Sequence, residues 1–315
     1  MQPSNTPLFL EGLVYKSTGS WYLIKDQTNK VWQARIKGKL KIGGTISSTN
    51  PIAVGDHVSF EPENETQAII ANVNERNNYI VRVSPHNKNQ KHIIASNIDL
   101  ALVVATLRSP RTSTGFIDRF LLTAEAYHIP AAVVINKTDL VTDKDRTAFE
   151  EWQQCYTRVG YPVYPIVALE PASLQPLKTL LQHKTTLFSG HSGVGKSTLI
   201  NQLIPDIALK TTEISEWSGK GQHTTTFAEM HDLPDGGRII DTPGVKEFGL
   251  IDIEKEELAH YFPEMKQRMS TCKFNNCLHL NEPGCAIIEA LHRGEIAIER
   301  YVNYRTILDS IPAKY

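Results

Sequence analysis

The chain has 315 residues, 41% of them apolar and 21% charged, with 33 Lys and Arg against 34 Asp and Glu for a formal net charge of −1. That balance suits a folded globular protein of two or three domains; it excludes a fibrous or disordered chain and exerts no global pull toward nucleic acid. The longest apolar runs, such as residues 100–107, fall far short of the roughly 20 residues that span a bilayer, the first residues lack a basic-then-apolar leader, and four cysteines are too few for a disulfide scaffold, so a cytoplasmic protein with no membrane partner is expected.

Residues 9–72 read as short strands broken by turn signals: LVYKSTGSWYLIKD, VWQARIK, Gly43-Gly44, Val54-Gly55-Asp56, VSFEP and AIIANV. A small all-β unit is expected over 1–72. Within it residues 30–41 carry Lys30, Arg35, Lys37, Lys39 and Lys41 with no acidic residue, a strip able to track a phosphate backbone. Trp21, Tyr22 and Trp32 beside it either stack bases or fill the core of the β unit. Residues 73–97 are polar and basic, with several Asn and Pro85, and read as a linker. From Ile98 the pattern changes. Apolar strand runs (LALVVATL, AAVVIN, YPVYPIVA, TTLFSG) alternate with helical segments such as FIDRFLLTAEAYH and STLINQL, the signature of βαβ units on a parallel sheet, expected over 98–251.

Five loops in this stretch carry chemistry. Asn136-Lys137-Thr138-Asp139 closes the strand AAVVI and resembles a guanine-reading motif: the Asp139 carboxylate can accept from both N1–H and the 2-amino group of guanine, a donor pair adenine does not offer. Asn136 would brace the loop and Lys137 lie over the base. Val167-Ala168-Leu169 follows another strand, where Ala168 would give its N–H to guanine O6, although Val167 lacks the hydroxyl that usually braces such a loop.

Gly190-His-Ser-Gly-Val-Gly-Lys-Ser197 fits G-x-x-x-x-G-K-[ST] between a strand and a helix, the context a P-loop requires. Gly190, Ser192, Gly193, Val194, Gly195, Lys196, Ser197 and Thr198 are the expected nucleotide contacts: backbone N–H groups and a helix N-terminus cradle phosphate, Lys196 neutralises the β and γ groups, and Ser197 ligates magnesium. Asp241-Thr-Pro-Gly244 ends a later strand, with Asp241 placed to hold magnesium through water and the Gly244 N–H to meet the γ-phosphate.

The glycine-bearing, polar segment SEWSGKGQHTTTF at 215–227 has the profile of a switch loop, in which Thr225 resembles the threonine that ligates magnesium. The residue after Gly244 is Val245, which cannot hold a water in line. His223 is therefore expected to orient the attacking water, against the alternative of an incidental loop histidine; His223, Lys196 and Thr225 form the expected catalytic set.

Motif order carries its own information. In ordinary GTPases the P-loop comes first, then DxxG, then NKxD, whereas here NKTD precedes the P-loop and DTPG comes last. The domain is circularly permuted, which a parallel sheet tolerates because all three loops leave carboxyl ends of its strands. Beyond residue 252 the chain reads as helical around Cys272-x4-Cys277-x-His279-x5-Cys285, four ligands within fourteen residues, enough for one closed, structural Cys3His zinc site.

The β unit, linker, NKTD, GHSGVGKS, GQHTTT, DTPGVKEFGL and CKFNNCLHLNEPGCA, followed by Ala290, Gly294, Ile296, Arg300 and Tyr304 as AxxxGxIxxxRxxxY, together resemble the bacterial small-subunit-dependent GTPase A family, known as RsgA or YjeQ. The resemblance covers nearly the whole chain. It implies an N-terminal OB-fold barrel, a permuted GTPase domain and a zinc-binding helical domain. It further implies binding to the small ribosomal subunit and its rRNA, GTP hydrolysis to GDP stimulated there, a catalytic switch histidine matched by His223, and an apolar residue after DTPG matched by Val245. A monomer is expected. The rival readings are a GTPase that serves another RNA or a membrane-associated partner, and an RNA-binding protein with a relic nucleotide site.

Overall fold

In a computed structural model the residues described are 9–36, 51–83, 91–205, 207, 209, 228–242 and 253–312. The strands are β1 (Leu10–Ser17), β2 (Tyr22–Asp26), β3 (Val31–Ile36), β4 (His57–Pro62), β5 (Gln67–Val73), β6 (Tyr79–Val83), β7 (Lys91–Ser96), β8 (Leu100–Ala105), β9 (Ala131–Ile135), β10 (Val163–Pro165), β11 (Thr185–Gly190), β12 (Glu229–Asp232) and β13 (Arg238–Asp241). The helices are α1 (Thr114–Ala126), α2 (Arg146–Arg158), α3 (Gln175–Leu181), α4 (Lys196–Leu203), α5 (Pro263–Lys266), α6 (Ala286–His292) and α7 (Ile298–Ser310). Two compact units result, one made of Met1–Leu100, Leu181–Ser189 and Glu216–Val245, the other of Ala101–Leu180, Gly190–Ser215 and Lys246–Tyr315.

In the first unit β1 to β5 close a barrel. β1 pairs with β2 and β4, β2 with β3, β4 with β5, all antiparallel, and β3 with β5 in parallel, which is the OB-like barrel the resemblance implies. The strands close because one side chain in two turns inward: Val14, Tyr22, Ile24, Trp32, Ala34, Val58, Phe60, Ala68 and Ile70 form one buried cluster. Gly12 permits the tight crossing of β1, since a Cβ there would lie 2.4 Å from Ile24 Cγ2 and 2.9 Å from the Phe60 ring. Of the three aromatics near the basic strip, Tyr22 and Trp32 are core, and Trp32 Nε1 donates to Asp26 Oδ2 at 2.9 Å. Trp21 alone of the three is exposed, at 46%.

Residues 73–97, which their polarity marks as a linker, hold the antiparallel pair β6 and β7. Ile80, Val81, Ile93 and Ala95 are buried there, and Ser96 Oγ donates to Asp56, which also takes a two-pronged ion pair from Arg76. Four buried apolar positions and a buried carboxylate outweigh the Asn-rich turn chemistry on which the linker reading rests.

β11 lies parallel to β13, and β13 pairs with β12 in the hairpin that the Pro-Asp-Gly-Gly turn announces. β12 meets the barrel at Lys16↔Glu229, where Lys16 Nζ reaches Glu229 Oε2 at 2.8 Å. Asp232 next along gathers Tyr15 Oη, Lys25 Nζ and Arg238. Burial pushes the Tyr15 hydroxyl up to about 12, and the neighbouring Asp232 carboxylate adds to the rise.

In the second unit β8, β9 and β10 run parallel. β8 is buried along its whole length, as a strand covered on both faces requires. Ser113 caps α1, its hydroxyl accepting from the Phe116 N–H at 3.3 Å. A C-terminal core of Leu258, Phe262, Met265, Ile287, Ala290, Ile296, Tyr301, Tyr304, Ile307 and Leu308 packs against Leu122 of α1. Beside it lies a buried ionic cluster: Arg300 of α7 reaches Asp118 of α1 at 2.6 Å and Glu264 of α5 at 2.7 Å, all three 5% exposed or less. Burial pushes the Asp118 carboxyl up, while Arg300 and Asn303 pull it back. No helix of the described residues is long and apolar enough to cross a membrane.

Candidate functional site

The glycine-rich loop leaves β11 and enters α4, whose N-cap is Gly195 in the left-handed region at φ 88°. A Cβ on Gly195 would stand 2.4 Å from Asn136 Nδ2, and one on Gly190 would stand 2.6 Å from the Val104 carbonyl. Only glycine fits either position, because the first combines a left-handed backbone with a steric block and the second meets a rigid main chain. Lys196, Ser197 and Thr198 form the first turn of α4 and are half-buried; Ser192 is exposed and Val194 buried. The His191 ring stacks on Phe116 of α1 with centroids 3.8 Å apart, and burial lowers its pKa. A loop of this shape, with a helix N-terminus behind it, can wrap a phosphate chain in backbone N–H groups.

NKTD grips this loop. Asn136, 2% exposed, donates from Nδ2 to the Val194 carbonyl at 2.8 Å and accepts at Oδ1 from the Ala168 N–H at 3.0 Å. One carboxamide thus ties the P-loop, the end of β9 and the turn after β10 together, the bracing role its place in the motif suggests. Lys137 has a left-handed backbone at φ 60° and puts Nζ on the carbonyls of Gly193 at 2.7 Å and Ser109 at 2.5 Å. Thr138 Oγ1 donates to the Ile166 carbonyl at 3.1 Å. Asp139 is exposed and points to no described partner, leaving both carboxylate oxygens open to a ligand. Ala168 is buried and gives its N–H to Asn136 Oδ1 rather than leaving it open for guanine O6 as its place in the sequence suggests. The brace that Val167 cannot supply comes from Ser173, whose hydroxyl lies 3.1 Å from the Val167 N–H and 2.8 Å from the carbonyls of Val167 and Glu170. Six residues of separation in sequence hide that contact, since no local spacing rule links a hydroxyl to a turn so far upstream.

In the first unit Asp241 ends β13 and is 7% exposed; the next residue, Thr242, donates from Oγ1 to the Phe188 carbonyl at 2.8 Å. His223, Thr225, Gly244 and Val245, and the basic residues Lys37, Lys39 and Lys41, lie outside the described residues.

The four cysteine and histidine ligands meet as their spacing suggests. One ligand atom from each of Cys272, Cys277, His279 and Cys285 falls within 4.8 Å of all the others. His279 Nδ1 stands 3.6 Å from Cys272 Sγ and 3.4 Å from Cys285 Sγ. Tetrahedral zinc, with bonds of about 2.3 Å to sulfur and about 2.0 Å to nitrogen, sets such edges near ~3.5 Å, so the donor set fits the ion. The loop is held from behind: the Glu282 carboxylate accepts from the N–H groups of Leu278, Leu280 and Asn281, while Tyr301 and Tyr304 donate to the carbonyls of His279 and Leu278. Burial alone would raise Glu282; those N–H bonds outweigh it and hold the carboxyl below its usual range. Glu282, Tyr301 and Tyr304 hold the loop through contacts that the ligand spacing does not disclose.

Comparison with known proteins agrees with this geometry. The RsgA GTPase family model matches residues 62–251, and the RsgA N-terminal domain model matches residues 11–70. A relative from Christiangramia forsetii, named small ribosomal subunit biogenesis GTPase RsgA, is 48% identical over 97% of this chain and 98% of its own. One of the same name from Flavobacterium johnsoniae is 49% identical over 97% and 95%. Among solved structures, YjeQ from Thermotoga maritima aligns with a TM-score of 0.79 at 31% identity over 98% of this chain and 100% of that one. YloQ, described as a circularly permuted GTPase, aligns at 0.74 and 30% over the full length of both. With an OB-like barrel, a permuted P-loop site and a Cys3His cluster along one chain, this protein belongs to the RsgA GTPase family, a family of GTP hydrolases.

Proposed function

We propose that this chain binds GTP between the 190–198 loop and the 136–139 and 167–169 turns, and that it acts on the small ribosomal subunit late in its assembly. The observation that carries the nucleotide reading is the Asn136 side chain, which joins all three segments by hydrogen bonds of 2.8 and 3.0 Å. Asp139 reads the guanine edge, Lys196 neutralises the β and γ phosphates, and Ser197 with Thr225 and Asp241 holds magnesium, the ion that supplies charge neutralisation when bound. His223 positions the attacking water, since Val245 is apolar where many GTPases carry glutamine. The names of the relatives support the ribosomal partner, and the basic Lys30–Lys41 stretch of the sequence supports contact with its RNA. We take residues 1–72, 73–97, 98–251 and 252–315 as the barrel, its extension, the GTPase domain and the zinc domain, working as a monomer in the cytoplasm.

Turnover measured with and without small subunits tests the proposal. Hydrolysis should rise on adding subunits, and Asp139→Asn should trade GTP for xanthosine triphosphate because an amide donor then meets the xanthine oxygen. His223→Ala should bind GTP almost normally yet lose about two to three orders of magnitude of stimulated turnover, equivalent to roughly 2–4 kcal/mol of barrier. Turnover indifferent to subunits would overturn the ribosomal reading, and unchanged base preference would overturn the assignment of Asp139.

A further inference from the structure

Guanosine-binding loops of this kind present a backbone N–H to the O6 oxygen of the base, and that donor stays aimed only if hydrogen bonds hold the turn that carries it. Here the turn is Val167-Ala168-Leu169-Glu170, closed by the Glu170 N–H on the Val167 carbonyl at 2.9 Å. Val167 gives it no side-chain support. Its N–H instead goes to Ser173 Oγ at 3.1 Å, and the same hydroxyl lies 2.8 Å from the carbonyls of Val167 and Glu170, to one of which it donates. The Ser173 N–H bonds the Glu170 carbonyl at 3.0 Å, so the hydroxyl is itself fixed by the short turn Pro171–Leu174. At the tip of the turn Ala168 is 5% exposed with its N–H on Asn136, while the Leu169 side chain is 71% exposed.

We infer that Ser173 is a specificity-positioning residue: its hydroxyl replaces the missing side-chain brace at Val167 and fixes the turn whose exposed Leu169 offers its N–H to guanine O6, the Ala168 N–H being held by Asn136. This rests on the proposed nucleotide site. Ser173 does not touch the base in this scheme. It acts through the turn, so its loss should be felt only by ligands that use O6.

The test pairs GDP with 6-thioguanosine diphosphate, which keeps the N1–H and 2-amino group that Asp139 would read but places a poor hydrogen-bond acceptor where O6 stands. Dissociation constants of both are measured on the full chain for wild type, Ser173→Ala and Ser173→Thr. In Ser173→Ala the GDP constant should rise about ten-fold, the scale of one well-placed hydrogen bond lost, while that of the thio analogue should move less than about two-fold, so the preference for GDP collapses. Ser173→Thr keeps the hydroxyl and should keep the preference. Saturating GTP should restore wild-type kcat in Ser173→Ala, leaving the defect in KM. If both ligands weaken alike, Ser173 is only structural, and if neither changes, the brace is irrelevant; either result overturns the inference. A wild-type chain that fails to prefer guanine to xanthine nucleotides would instead overturn the nucleotide site itself.

Discussion

Replacing Arg300 with methionine removes the only described cation facing two buried carboxylates. Asp118 and Glu264 are 0% and 5% exposed, and their partner guanidinium, 2% exposed, also lies 4.7 Å from the centre of the Phe262 ring. A methionine fills much of the volume, so the loss is electrostatic rather than a cavity. Breaking a buried pair from one side costs about 3–5 kcal/mol, a large share of the roughly 5–15 kcal/mol that keeps a typical protein folded. For a unit of this size that corresponds to a fall in Tm of roughly 6–20 °C. The pH dependence follows from Asp118, whose carboxyl is raised by burial even with Arg300 beside it. A raised carboxyl contributes stability below the unfolded carboxylate range and loses it as pH climbs through the folded value. Without Arg300 the rise must be larger, so the deficit of Arg300→Met should widen from pH 5 to pH 8. Thermal and urea unfolding of metal-replete protein at both pH values measures it. Adding Asp118→Asn and Glu264→Gln to the variant removes the stranded charges and should recover at least half of the loss. A deficit under about 1 kcal/mol, or one that does not change with pH, would refute the reasoning.

Gly195→Ala should fold yet bind GDP at least about 100-fold more weakly, because a side chain at φ 88° would drive into Asn136; a constant within three-fold of wild type, read by fluorescent-nucleotide titration, would contradict it. Asn136→Ala strands the Val194 carbonyl and the Ala168 N–H, at about 1–3 kcal/mol each, so GDP affinity should fall at least ten-fold, and calorimetry that found no loss would remove the residue from its role. Protein purified without chelator should carry one zinc per chain by mass spectrometry, and Cys277→Ser should lose it and expose the C-terminal region to protease, since binding at such a site is folding free energy; a metal-free wild type would end this assignment.

Much of the site was legible in the sequence because its chemistry is local. A P-loop is eight consecutive residues whose glycines answer to backbone geometry, and NKTD and the cysteine cluster are equally short, so each motif can be read without knowing what packs against it. The reversed order of NKTD and P-loop likewise disclosed the permutation, since motif order is a property of the chain alone. Alternation of apolar residues announced a β unit at the N-terminus, but not that Tyr22 and Trp32 face inward while Trp21 faces out, nor that Tyr79–Val83 pairs with Lys91–Ser96, whose Ser96 meets a buried Asp56. Those outcomes depend on which side of a closed barrel a residue falls and on partners forty residues away. The same holds for Ser173 under Val167, for Glu282, Tyr301 and Tyr304 behind the metal loop, and for Arg300 between Asp118 and Glu264. A ligand set or a phosphate loop needs particular residues at fixed spacing and so leaves a pattern in the chain, whereas the groups that hold it in place need only arrive from some direction with the right donor, a condition that only the tertiary structure settles.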